Sequence, residues 1–108
     1  MLITVARSRK ERMLGLLGQP ELAPGHGFLI PHCRAVHTMG MRFPLDVSYL
    51  DGSGRVLQVV TMKPGRIGLP RLEARHVLEC AAGCSPRVGS RIEGYPFGAQ
   101  RRRKMFGS

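Results

Sequence analysis

Apolar residues recur along this chain in short runs cut by glycine and proline. Leu2-Ile3-Thr4-Val5 opens it as a β-branched stretch of the kind that forms a strand. Ser8-Arg9-Lys10-Glu11 then has the form of a capping box, in which serine and glutamate satisfy exposed N–H groups at a helix start. Met13, Leu14 and Leu17 follow at helical spacing, and Gly18 with Pro20 ends that helix. Gly27-Phe28-Leu29-Ile30 is the next apolar run, stopped by Pro31, and Val36 to Met41 reads as extended. The clearest local signal is Leu45 to Leu50, then Asp51-Gly52-Ser53-Gly54, then Arg55 to Met62: two strands and a glycine-rich turn headed by aspartate, an antiparallel hairpin. Lys63 to Leu72 is an irregular connection, Arg75 to Cys80 is a further strand, and Val88 to Ile92 adds a short one. The pattern predicts a mostly β (α+β) fold: a compact curled antiparallel sheet, or a partly open barrel, of about six short strands with one short N-terminal helix.

Length and composition narrow this. With 108 residues, 14 of them glycine and 8 proline, the chain holds one modest core and many tight turns. The expected layout is a single β-rich domain over residues 1–95 and a basic, flexible tail over 96–108. No apolar run approaches the ~18 residues that a membrane span needs. The opening MLITVARSRKER lacks the order of charges found in a secretory signal, so the expected compartment is the cytosol. Three cysteines, an odd count, suit reduced thiols there.

Seventeen Lys and Arg against seven Asp and Glu give a net charge of +10. Four of those charges are Arg101, Arg102, Arg103 and Lys104; the remaining +6 (10 minus 4) belongs to the rest of the chain. Such a balance attracts anionic partners, either an acidic protein or nucleic acid. Aromatic residues make up only 6% and Trp is absent, so nucleic acid would be held through phosphates, without sequence specificity. The candidate binding residues are Arg42, Arg75, Arg101, Arg102, Arg103 and Lys104.

The run HTMGMRFPLDVSYLDGSGRVLQVV, followed by ARHVLECAAG, resembles the bacterial and archaeal family called domain of unknown function 192. Pro44-Leu45-Asp46, Val77-Leu78-Glu79 and Ala82-Gly83 stand where the family has its hallmark segments. Glu11-Arg12 and Gly15-Leu16 resemble its opening, and the likeness runs from residue 6 to about 92. It implies a mostly β fold of about one hundred residues and no established activity. Two departures stand out: Gly89-Ser90 replaces a Gly-Asp pair, and Cys84-Ser85-Pro86-Arg87 shortens a helical turn.

The stretch HCRAVHTMGM, residues 32–41, concentrates two histidines, a cysteine and two methionines, soft and nitrogen ligands that copper(I) or zinc would take. In a strand His37, Met39 and Met41 would share a face, with Cys33 looping in. No close ligand pair such as Cys-x-x-Cys accompanies them, so the preferred reading is a core strand with no metal and no cofactor. Cys80 reads as a small buried hydrophobe and Cys84 as exposed.

Asp46 and Glu79 each interrupt an apolar strand, where a carboxylate must reach solvent or find a donor. Two readings follow. With His37 they would line a small cleft as general acid and base of a hydrolase-like enzyme. Alternatively each locks the fold through an arginine or backbone N–H groups, with Arg42, Arg75, His37 and His76 as available partners. The second outweighs the first, and the chain reads as a small accessory binding domain, non-enzymatic, with a basic surface.

Overall fold

The hairpin forms where the alternation places it: strand β3 (Leu45–Leu50) returns as β4 (Val56–Met62). The structure, a computed structural model, describes residues 1–8, 22–39, 41–68 and 70–97. The Asp51 carboxylate builds the hairpin turn, its Oδ1 accepting the backbone N–H of Ser53 at 2.8 Å and of Arg55 at 3.0 Å. Gly54 follows at φ +85°, a left-handed backbone that suits glycine.

Three further strands join the hairpin: β1 (Leu2–Val5), β2 (His26–Pro31) and β5 (His76–Ala81). Their order across the sheet is β1-β2-β5-β3-β4. β1 runs parallel to β2, while β2–β5, β5–β3 and β3–β4 are antiparallel. The sheet is therefore mixed where the sequence suggested antiparallel, and open, with β1 and β4 at its two edges, where a partly closed barrel was the alternative. Its described strands are five, one fewer than expected: the segment at Val88 to Ile92 contributes only a single pairing of Arg91 with Arg55. The helix expected after Ser8 lies outside the described residues.

β3 and β5 sit in the interior of the sheet and are buried almost throughout. Both of their faces are covered, so the polar residues they carry, Asp46, Ser48, His76 and Glu79, are buried along with the apolar ones. On the first face Phe28, Ile30, Val77, Val47, Tyr49 and Met62 form one core with Leu22, Val36 and Phe43. On the second, Leu29, Leu78, Cys80, Leu50 and Val56 meet Ile92 and Phe97. Each such side chain, fully withdrawn from water, contributes roughly 1.5–3 kcal/mol. Phe97 lies beyond the boundary expected after residue 95, yet it is 5% exposed and packs on Gly54, where an added Cβ would stand 2.5 Å from its ring.

Outside the sheet, residues 34–38 zip with 65–68 and Arg71 into a ribbon. Thr38 N donates to Arg66 O at 2.7 Å, Gly65 N to Thr38 O at 2.8 Å, Gly68 N to Val36 O at 2.9 Å and Arg71 N to Arg34 O at 3.3 Å. The fully buried Thr38 hydroxyl pins it further, donating to Lys63 O at 2.6 Å and accepting from Arg66 N at 2.8 Å. Of the stretch expected to be a core strand from Val36 to Met41, Val36 to Thr38 therefore belong to a loop ribbon, paired at His37 with Ile67.

Candidate functional site

Asp46 and Glu79 stand on neighbouring strands, but the register separates them. Asp46 pairs with Cys80, and Val47 pairs with Glu79. Because side chains alternate along a strand and paired residues share a face, Glu79 lies on the first face and Asp46 on the second. The first face holds Glu79 fully buried between its cross-strand neighbours Phe28 and Val47. Asp46, 4% exposed, accepts the Thr61 hydroxyl on Oδ1 at 2.7 Å and the Gly83 N–H on Oδ2 at 2.9 Å. It thereby ties β4 and the turn after β5 to β3.

His37 belongs to the ribbon, where its Nδ1 accepts the Met39 N–H at 3.3 Å. The three residues expected to converge in a hydrolase-like cleft therefore do not meet: two occupy opposite faces of the sheet and the third a loop. The candidate ligands of the 32–41 stretch separate as well. Met41 is buried, Met39 is 50% exposed, and the Cys33 thiol donates to Ala35 O at 3.0 Å. Among the described residues no three His, Cys, Asp or Glu side chains are grouped to hold a metal ion.

The basic candidates fare differently from one another. Arg42 is exposed. Arg75 is exposed as well, but its Nη1 donates to Leu72 O at 2.9 Å and Ala74 O at 3.0 Å, clasping its own loop. Arg101, Arg102, Arg103 and Lys104 lie outside the described residues.

What the fold does assemble is a cleft of about 590 Å³ on the first face at the β4 end of the sheet. Tyr49, Gln58, Val60 and Met62 come from β3 and β4; Lys63, Arg66, Ile67, Gly68 and Arg71 come from the connection that follows. Gln58, Val60 and Met62 share this face by simple alternation. The ribbon closes onto Tyr49 at Gly68, where a Cβ would come within 3.0 Å of the phenol oxygen and 3.1 Å of Val36 O. Burial pushes the Tyr49 phenol up, and Arg71 nearby pulls it back in part. The Gln58 side-chain oxygen Oε1 is buried without a hydrogen-bond partner among the described residues. Lys63, Arg66 and Arg71 are exposed at the rim, and the lining contains no carboxylate.

In the sequence these cations are part of a diffuse basic excess. The available signal was the alternation Gln58, Val60, Met62 running directly into a connection with Lys63, Arg66 and Arg71.

A second cluster surrounds His76 on the opposite face. Its Nδ1 accepts the His32 N–H at 3.1 Å, and its ring lies 5.0 Å from Phe97. Burial, reinforced by His32, pushes the His76 pKa down to about 4. His32 is the one non-glycine residue with positive φ, 57°, among those described. Cys80 is driven the other way, up to about 12, by burial and then by Asp46.

Residues 1–93 match the model of a family described as DUF192, Uncharacterized ACR. A UPF0127 protein of Pyrococcus horikoshii is 35% identical over 63 residues, a match covering 55% of this chain and 55% of that protein. A UPF0127 protein of Pyrococcus abyssi is 31% identical over 80 residues, covering 65% of this chain and 68% of its own. The match thus spans little more than half of the first relative. Among solved structures, a protein of unknown function from Novosphingobium aromaticivorans superposes with a TM-score of 0.69 at 21% identity, covering 85% of this chain and 74% of that one. That likeness extends to the fold alone.

Proposed function

The chain belongs to the DUF192 family, whose function is uncharacterised, and from that premise we propose that it is a small binding domain for an anionic partner. The observation that carries this reading is the cleft: three exposed cations, Lys63, Arg66 and Arg71, rim an opening whose lining has no acid. Its volume falls within the ~300–1,000 Å³ of ordinary ligand sites. The net charge of +10 adds long-range attraction toward the same class of partner. The backbone that carries the cations is held by bonds to Thr38 and Arg34, which keeps the three positions together.

Binding is preferred in this reading to the hydrolase-like alternative, which would need Asp46, Glu79 and His37 around one substrate. Asp46 instead has both oxygens engaged in holding strands together. The described cysteines, Cys33, Cys80 and Cys84, are all free thiols, which suits a reducing compartment such as the cytosol. Among the described residues no helix is long and apolar enough to cross a membrane.

Reversing the rim tests the reading. Lys63→Glu, Arg66→Glu and Arg71→Glu together should weaken capture of a short oligonucleotide or an acidic peptide by an order of magnitude or more at low salt. Arg101→Glu, Arg102→Glu and Arg103→Glu together should leave most of the affinity. Equal loss from the tail variant, with none from the rim variant, overturns the proposal.

A further inference from the structure

We propose that the cleft and the outer edge of β4, unpaired among the described residues from Leu57 on, together receive an acidic peptide, which adds to the sheet as an extended strand. This deepens the anionic-partner reading and rests on it. β4 is the last strand of the sheet. At its start Val56 is covered: its N–H donates to Ser90 O at 2.8 Å and its carbonyl accepts from Gly89 N at 2.8 Å. From Leu57 to Met62, among the described residues, no backbone bond is made beyond the pairing with β3. An open edge of this kind is a template for another strand, and natural sheets blunt theirs when it has no use.

The edge borders the cleft. A strand laid along it runs beside Gln58, Val60 and Met62, whose side chains floor the opening, and its alternate side chains point into the space over Tyr49. Main-chain bonds would supply affinity, and the pocket would select the residues that enter it. Lys63, Arg66 and Arg71 select acidic side chains, or a terminal carboxylate, at the rim.

Charge decides among the possible occupants. The chain's own tail, with Arg101, Arg102, Arg103 and Lys104, would bring four cations against three. A second copy pairing through β4 offers Val56-Leu57-Gln58-Val59-Val60-Thr61-Met62, which has no acid, and sets two cationic rims near each other. Nucleic acid complements the rim but cannot pair with a strand edge. An acidic peptide satisfies both the edge and the rim.

The experiment is an NMR titration of the full chain with an acetylated heptapeptide alternating glutamate and valine, at low and near-physiological salt. Three companions run beside it: the glutamine–valine peptide, the glutamate peptide N-methylated at alternate residues, and a short oligonucleotide. The glutamate peptide should shift the amides of 57–71 and slow hydrogen exchange along 57–62. N-methylation and replacement of glutamate by glutamine should each weaken it by roughly tenfold, the order of one or two lost hydrogen bonds or ion pairs. Binding that ignores N-methylation, or leaves exchange along 57–62 unchanged, overturns strand addition. If the oligonucleotide shifts the rim while the peptide does not, this inference falls and the anionic-partner reading stands. If neither probe binds, both fall.

Discussion

Asp46 and Glu79 lie on adjacent strands one register step apart, and that step puts their carboxylates on opposite faces of the sheet. A slip of one residue would have placed them side by side, since every side chain changes face when register shifts by one. The separation turns two candidates for one site into two unrelated buried acids. Asp46 is a strand tie, Glu79 a core residue, and the cationic cleft is built from other side chains.

The tie predicts a graded response at position 46. Asp46→Ala removes the bonds to the Thr61 hydroxyl and the Gly83 N–H and should cost about 1–3 kcal/mol in urea unfolding. Asp46→Asn should cost about 1 kcal/mol or less, because its amide oxygen still accepts from Gly83 while its NH₂ donates to the Thr61 oxygen. Identical losses in the two variants would contradict the assigned bonds.

His76 predicts how stability follows pH. It ionises near 6.5 when unfolded but near 4 in the fold, where His32, Arg75, Asp51, Tyr95 and Phe97 surround it. Between those values the unfolded chain binds the additional proton. Stability from this group is therefore complete above pH 6.5 and is lost as pH falls toward 4, by up to about 3 kcal/mol. His76→Leu should flatten that slope, whatever it does to stability at neutral pH. An unchanged slope in the variant would assign the acid sensitivity elsewhere.

Cysteine labelling gives a third check. At mildly alkaline pH a thiol reagent should modify the half-buried Cys33 and Cys84 in the native protein and leave Cys80 untouched, since burial raises its pKa to about 12. Unfolding should bring the count to three. Native modification of Cys80 would show that the second face opens.

Gly54 joins the hairpin turn to the C-terminal segment. Gly54→Ala meets both a φ of +85° and the Phe97 ring at 2.5 Å, and should lower stability by more than ~1 kcal/mol. Combining it with Phe97→Ala should cost less than the sum, because the clash disappears with the ring. Strict additivity would mean that the two residues do not touch.

Local chemistry made most strands legible. Leu2–Val5, Gly27–Ile30 and the hairpin could be read because alternation and turn residues are encoded within a few positions. Strand order could not: β5 inserts between β2 and β3, and β1 pairs in parallel with β2, through contacts that local patterns do not specify. The Asp46–Glu79 geometry was hidden for the same reason. Alternation says that Asp46 sides with Ser48 and Glu79 with Val77, but only the pairing of β3 with β5 says which sets share a face. The ribbon of 34–38 with 65–68 has no periodicity to read, since a threonine hydroxyl and a few main-chain bonds hold it. With it went the cleft, whose cations look like scattered charge until Gly68 brings the connection that carries them against Tyr49.

A backbone amide shift map answers the central question most directly, recorded as an acidic peptide or short oligonucleotide is added at near-physiological salt. The account predicts that the moving resonances cluster within 57–71, around Lys63, Arg66 and Arg71, and persist as salt rises to that level. Shifts confined to 99–106 and erased by salt would contradict it, leaving the cleft as a feature of packing alone.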